Sequence, residues 1–391
     1  MKTIKLKERY IERLNTHLWI FSNEIAKHDF TAENGEICRI VYSDDTQCGI
    51  GFYNPHSLIS VRLLLKGKED MDEHFFLNCL NKAFDYRKSI GIVNGRFFFG
   101  ESDGIGGLVI DKYNSVITVQ ILSAGVEKSI KEIIASIKEI YNPEAIVILR
   151  NHHSRILEGL AIEPTEIIGK LTERIIIEEN GAMFNIDIIN SQKTGWYFDQ
   201  RDNREFLIPY FKDKKVLDLY CYTGAFSIIA AKNGANFVLG IDSSKKAVET
   251  AETNRELNKI SEETLVFKEE NALNVLDGLS DNDFKDNPDF ILLDPPNLVH
   301  NKKHLNDAKR LYIKMLKSAL KTVKPAGYVA FSTCSQHISD EIFNEIIETA
   351  AIKSQRRTFN IYIGTQSKDH PIIAGMRETK YLHFVLLNII K

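Results

Sequence analysis

The chain has 391 residues, 43% hydrophobic, 26% charged and 10% aromatic, with a formal charge of -3; at about 100 to 200 residues per domain this predicts two or three folded domains and excludes a disordered or fibrous chain. Its longest uncharged apolar stretches, such as residues 381–390, interrupted by His383 and Asn388, fall short of the about 18 to 20 residues of a bilayer span, so no membrane segment is expected. Five scattered cysteines (Cys38, Cys48, Cys79, Cys221 and Cys334), odd in number and without a CxxC pair, argue against a disulfide framework and a thiolate metal centre, so free thiols, no metal and a cytoplasmic setting are expected.

Residues 1–70 hold short β-type runs at 37–42, 49–53 and 60–65 between Asn-Gly, Asp-Asp and Asn-Pro turn signals, which predicts a small β-rich module. Apolar spacing becomes helical over 72–90. A hairpin follows, with strands 108–111 and 115–122 around Lys112-Tyr113-Asn114, and a second helical pattern covers 126–141. Residues 71–190 therefore read as an α+β module. In 191–391, buried-strand runs at 215–219, 237–241, 264–267, 289–293 and 328–332 mostly alternate with helical stretches. That rhythm predicts an α/β architecture with a parallel, doubly wound sheet.

Ligands of such sheets sit beyond the carboxyl ends of the strands, near the point where strand order reverses. The first of these strands carries Asp218 and leads through Tyr220, Cys221 and Tyr222 to Gly224, Ala225 and Phe226. The glycine permits close backbone approach before a helix whose amides face the ligand. The second strand ends in Asp242-Ser243, 24 residues after Asp218, and an acid there can accept hydrogen bonds from both ribose hydroxyls. Together these features imply a nucleoside-containing ligand; the plainer alternative is that both acids cap helices. The fourth strand ends in Asp294-Pro295-Pro296-Asn297, where two prolines stiffen the backbone and present a carboxylate to a planar base. The fifth ends in Ser332-Thr333-Cys334-Ser335, placing a thiol on the neighbouring tip as a candidate nucleophile rather than a small buried hydrophobe.

The modest net charge hides local imbalance. Residues 301–326 carry eight Lys or Arg against one acid, Asp307, whereas 261–290 carry nine acids against Lys268 and Lys285. A helix over 302–324 is either a solvated face or, beside the Asp-Pro-Pro loop, a phosphate-binding one.

These residues carry a resemblance. The last module resembles a class I S-adenosylmethionine-dependent methyltransferase, and the chain closely resembles the ribosomal large-subunit RNA cytosine-5 methyltransferase I family over nearly its whole length. The matching residues include Trp19-Ile20-Phe21-Ser22, in a first module similar to a PUA RNA-binding domain, and Gly100-Glu101-Ser102-Asp103-Gly104. They continue with Gln192-Lys193-Thr194-Gly195-Trp196-Tyr197-Phe198-Asp199-Gln200-Arg201, Asp294-Pro295-Pro296, Thr333-Cys334-Ser335 and Asp369-His370-Pro371. The resemblance implies S-adenosylmethionine as cofactor. Asp218 and the turn through Tyr220, Cys221, Tyr222, Gly224, Ala225 and Phe226 would hold its methionine end. Asp242 and Ser243 would hold the ribose, and Asn271 and Ala272 would meet the adenine.

The resemblance further implies a large-subunit ribosomal RNA partner contacted by Arg201, Lys302, Lys303, Lys309 and Arg310, and, by likeness alone, a homodimer. Cys334 would add to carbon 6 of the pyrimidine while Asp294 binds the ring nitrogen and amine edge. Pro296 stands where many RNA cytosine-5 methyltransferases carry a second cysteine, so product release would use another group. Uridine carbon-5 methylation, methylation of a purine base and a non-catalytic RNA-binding assembly role stay open as alternatives.

Overall fold

Glu36–Val41, Gln47–Tyr53 and Ile59–Lys66 pair antiparallel at the centre of a five-stranded sheet edged by Thr3–Lys5 and Trp19–Phe21. In the computed structural model, which describes residues 1–27, 32–68, 70–189, 194–278, 287–299 and 302–390, this sheet belongs to the first of two units. Gln192 and Lys193 of the quoted motif lie outside the described residues.

The first unit comprises Met1–Ile175, Ile186–Phe198 and Lys368–Thr379. Its second sheet runs in the order Glu166–Gly169, Ala145–Leu149, Val116–Ile121, Leu108–Tyr113, Gly95–Phe99, and the helices Phe75–Ser89 and Ile130–Tyr141 bury apolar residues in its core. Phe52 of the first sheet enters that same core. The helical pattern at 126–141 resolves into Ala124–Lys128 and Ile130–Tyr141. The hairpin turns later than the sequence suggests: Lys112 and Tyr113 stay in the ladder, and Asn114, at φ 56°, makes the reversal, a left-handed conformation that asparagine tolerates.

Two motifs meet inside this unit. The fully buried Arg87 forks onto both oxygens of Asp103 at 2.6 and 2.7 Å and also donates to the carbonyls of Arg96 and Asp369. Asp369 in turn accepts the Arg96 amide at 3.0 Å and lies 2.7 Å from His370 Nδ1. The Gly-Glu-Ser-Asp-Gly and Asp-His-Pro stretches are thus held by one buried arginine.

The second unit comprises Ile176–Asn185, Asp199–Ser367 and Lys380–Lys391. Its sheet contains β1 (Lys215–Leu219), β2 (Phe237–Asp242), β3 (Leu265–Glu269), β4 (Phe290–Leu293), β5 (Tyr328–Cys334), β6 (Thr358–Gly364) and β7 (Leu382–Ile389) in the order β3-β2-β1-β4-β5-β7-β6. The first five strands are mutually parallel, and β7 runs antiparallel to both β5 and β6. Intervening helices are α1 (Ala225–Lys232), α2 (Lys245–Leu257), α3 (Ala272–Gly278), α4 (Leu305–Thr322) and α5 (Asp340–Ser354). On α4 the buried residues Ala308, Tyr312, Met315, Leu316, Ala319 and Leu320 recur at helical spacing, forming one apolar stripe against the core.

The apolar stretch at 381–390 finds its explanation here. β7 is flanked by strands on both sides and is buried along nearly its whole length, the pattern of an interior strand with both faces covered. Among the described residues, no helix is long and apolar enough to cross a membrane.

Candidate functional site

Strand order reverses at β1, which pairs with β2 on one side and β4 on the other, so the loops after these strands open at one edge. The loop after β1 is tightly coiled, with left-handed φ at Tyr220 (65°), Tyr222 (49°) and Gly224 (83°); such conformations are costly for bulky residues and cluster at ligand sites. A Cβ on Gly224 would stand 2.6 Å from Phe267 Cζ, so the turn needs glycine for both space and φ.

The loop is pinned by its neighbours. Cys221 donates its amide to the Ile241 carbonyl at 3.0 Å, and Asn254 Nδ2 donates to the Thr223 carbonyl at 3.0 Å. Asp242, half-buried at the tip of β2, accepts the Tyr222 amide on Oδ2 at 3.0 Å and the Ser244 amide on Oδ1 at 2.8 Å. These bonds tie the carboxylate to both loops, while the helix that follows is capped by Ser244, whose side chain accepts the Ala247 amide. Ser243 beside it is exposed. Ala225 and Phe226 start α1, and the Arg204 guanidinium lies 5.7 Å from the Phe226 ring centroid. Burial pushes the Cys221 thiol well above its usual range, which keeps it neutral and unsuited to attack.

Asp218 is almost fully buried. Its Oδ2 accepts a 2.6 Å hydrogen bond from Ser227 Oγ, while Oδ1 has no hydrogen-bond partner among the described residues. Burial raises its pKa to about 7; the Ser227 hydrogen bond opposes that shift and the charge of Asp294 adds to it. An orphaned acceptor beneath a glycine turn and a helix start suits a ligand bearing a donor, and the donor set fits an amino-acid-bearing nucleoside. Asn271, exposed after β3, caps α3 by accepting the amides of Leu273 and Asn274 at 2.9 and 3.2 Å, with Ala272 buried behind it.

The second cluster lies on β4 and β5. Leu293 pairs with Phe331, so Asp294 stands level with Ser332, and Ser332 Oγ donates to Asp294 Oδ1. Gln200 Nε2 donates to that same oxygen at 3.1 Å. Cys334, half-buried at the end of β5, lies two residues beyond Ser332 and so faces the same side of the sheet. The buried phenol of Tyr312 on α4 is raised foremost by burial, with Cys334 and Asp294 adding to the shift; its Oη accepts the Leu298 amide at 3.3 Å, anchoring the loop after Asp294.

Gln200, Ser332, Tyr312 and Ser227 are the residues that sequence reasoning passed over. Gln200 lay in the Asp199-Gln200-Arg201 stretch, which by itself reads as a polar helix start, and Ser332 in the strand-end stretch that carries Cys334; neither was assigned a role.

The basic residues have acidic neighbours. Arg201 donates through Nε to Glu179 at 3.2 Å, and Arg204 shares that carboxylate. Lys309 pairs with Glu345, Arg310 with Asp307, Lys314 with Asp277 at 3.2 Å and Lys324 with Asp289 at 3.3 Å. Lys303 is exposed; Lys302 belongs to the turn Lys302–His304, and its side chain is outside the described residues. Asp277 and Asp289 come from the acidic stretch, so the two local charge excesses partly neutralise each other in space.

Comparison with known proteins matches two separate parts of the chain. A PUA-like domain family matches residues 4–66, and a methyltransferase domain family matches 211–375. Ribosomal RNA large subunit methyltransferase I of Shewanella frigidimarina is 34% identical over 394 residues, covering 97% of each chain. The protein of that name from an Enterobacter species is 32% identical over 389 residues, covering 98% of each. A solved structure described as a candidate SAM-dependent methyltransferase from Streptococcus mutans is 19% identical and superposes with a TM-score of 0.83 over 99% of this chain and all of that one. A second, a candidate methyltransferase complexed with SAH, reaches a TM-score of 0.84 at 19% identity over 99% of this chain. At that identity, the structures establish the shared fold.

Proposed function

The chain belongs to the ribosomal RNA large subunit methyltransferase I family, and from that premise we propose that it methylates carbon 5 of a cytosine in large-subunit ribosomal RNA through a transient bond to Cys334. S-adenosylmethionine supplies the electrophilic methyl group. Asp218, the turn from Tyr220 to Phe226, Asp242 with Ser243, and Asn271 with Ala272 are the residues we assign to holding it.

Carbon 5 of cytosine is too weak a nucleophile to attack unaided. Addition of the Cys334 thiolate to carbon 6 moves the ring's double-bond electrons toward carbon 5 and makes it nucleophilic. Asp294 meets the ring nitrogen and amine edge and, when protonated, offsets charge developing on the ring. After carbon 5 is alkylated, loss of its proton and cleavage of the carbon 6–sulfur bond restore aromaticity and return the thiolate. The target base must be single-stranded or flipped out to reach the thiol. We assign RNA capture to the module at 1–70 and to the basic residues Lys302, Lys303, Lys309, Arg310 and Arg201, with 71–190 linking capture to the catalytic module at 191–391.

One observation carries this reading: a half-buried thiol at the end of β5, in phase with Ser332, whose hydroxyl holds Asp294. Methylation of a purine amine would use Asp294 and leave that thiol idle. The test is incubation with ribosomal RNA and labelled cofactor. Label is expected at cytosine carbon 5 and lost in Cys334→Ala, and RNA containing 5-fluorocytidine should trap a covalent complex in the wild type alone. Label on a purine, or undiminished label in Cys334→Ala, overturns the proposal.

A further inference from the structure

A chain of buried amides leads from Asp294 to a backbone carbonyl, and its polarity can be worked out from that end. Asn203 is fully buried, and its side chain lies 3.1 Å from the Thr365 carbonyl oxygen. A carbonyl only accepts, so the Asn203 atom facing it must be the NH2 group. This assignment also leaves Asn203 Oδ1 as the acceptor for Tyr362 Oη at 3.3 Å. The same NH2 group donates to Gln200 Oε1 at 2.8 Å. Gln200, only 2% exposed, is thereby compelled to turn its own NH2 toward Asp294 Oδ1, 3.1 Å away. Rotating the Gln200 amide by half a turn would set donor against donor at one end and acceptor against acceptor at the other.

Ser332 Oγ donates to that oxygen as well. A carboxyl oxygen has about two lone-pair sites, and Gln200 and Ser332 fill both on Oδ1. While Ser332 donates, Oδ1 has no lone pair left for a proton, which Oδ2 then carries.

We propose that Gln200 is a positioning residue for Asp294: it and Ser332 saturate Oδ1, which fixes the rotation of the carboxyl group and assigns its exchangeable proton to Oδ2. The inference deepens the proposed function and rests on its reading of Asp294 as the group that meets the base. A proton confined to one oxygen is a directed donor. It suits a ring nitrogen that accepts, as cytosine N3 does, and opposes one that already carries hydrogen, as uridine N3 does, so the amide chain contributes to base choice.

The test compares Gln200→Glu and Gln200→Leu by single-turnover methyl transfer between about pH 5.5 and about pH 8, and by urea unfolding of the free protein at both ends of that range. In Gln200→Glu the NH2 donor becomes a carboxylate facing Asp294. We expect methyl transfer to fall about 10- to 100-fold at high pH, the value of a hydrogen bond to a charged group, with KM for RNA held within about twofold. Acidification protonates the introduced carboxylate and restores a donor, so most of that loss should be recovered at low pH. The unfolding midpoint of the free variant should recover in parallel.

Gln200→Leu has similar bulk and no donor, and should be impaired without acid rescue. Equal losses in both variants at every pH would reduce Gln200 to packing and overturn the inference, as would wild-type behaviour of Gln200→Glu in both assays. If the wild type itself fails to methylate cytosine carbon 5, the proposed function falls, while the unfolding comparison still decides whether Gln200 donates to Asp294.

Discussion

Asp218→Asn separates the cost of burying an acid from its use. The substitution preserves shape, and asparagine can still accept from Ser227 Oγ, which lies 2.6 Å from Asp218 Oδ2. At low pH both side chains are neutral, and each keeps one polar atom without a partner among the described residues, so the two proteins should be equally stable. Burial lifts the Asp218 pKa from 3.8 to about 7 in the folded chain. Between those values the folded state binds more protons than the unfolded one, so stability falls as pH rises through the window; it is fully present below the unfolded pKa and gone above the folded one. At 1.36 kcal/mol per pH unit, the loss is on the order of 4 kcal/mol. Asp218→Asn should therefore match the wild type near about pH 3 and exceed it by that amount near about pH 8.5, while binding cofactor more weakly, an exchange of stability for function. Both tryptophans, Trp19 and Trp196, belong to the first unit, so urea unfolding of the free protein should be followed by circular dichroism. A variant less stable than the wild type by one constant amount at every pH would mean that Asp218 is ionised in the fold, and would refute the reasoning.

Ser332→Ala removes a donor to Asp294 Oδ1 and should slow single-turnover methyl transfer about 10- to 100-fold while cofactor affinity, measured by calorimetry, stays within about twofold. Gly224→Ala places a Cβ 2.6 Å from Phe267 Cζ at φ 83° and should cost about 1 to 3 kcal/mol in urea unfolding; Phe267→Leu on that background should recover the steric part but not the backbone part. Arg87→Ala strips a bidentate partner from Asp103, whose side chain is 10% exposed, and leaves the carbonyls of Arg96 and Asp369 without this donor. The first unit should lose about 3 to 5 kcal/mol, read by tryptophan fluorescence.

The parallel strands were legible because strands buried on both faces write themselves as short apolar runs, and the acids and glycine at their ends mark the ligand edge. What stayed hidden depends on partners far along the chain. Gln200 reaches Asp294 across 94 positions, and Asn203 reaches Thr365 across 162; no local pattern announces such pairs. The ion pairs of the basic helix were hidden in the same way, because Asp277, Asp289 and Glu345 approach it only once the chain is folded. β7 looked like a bare apolar stretch because its role as an interior strand depends on β5 and β6 lying on either side.

Phase along β5 decides which chemistry the site favours. Asp-Pro-Pro alone would serve a purine amine as well as a pyrimidine ring. Ser332 and Cys334 lie on one face of the strand, and Ser332 holds Asp294, whereas Thr333 points to the opposite face, fully buried and paired in register with His383. Moving the cysteine by one residue would turn its sulfur toward that buried face. A thiol kept merely as a small hydrophobe would suit position 333 better than the half-exposed position it occupies. Its placement in phase with the hydroxyl that orients the carboxylate is what supports reading it as the nucleophile proposed to act beside Asp294.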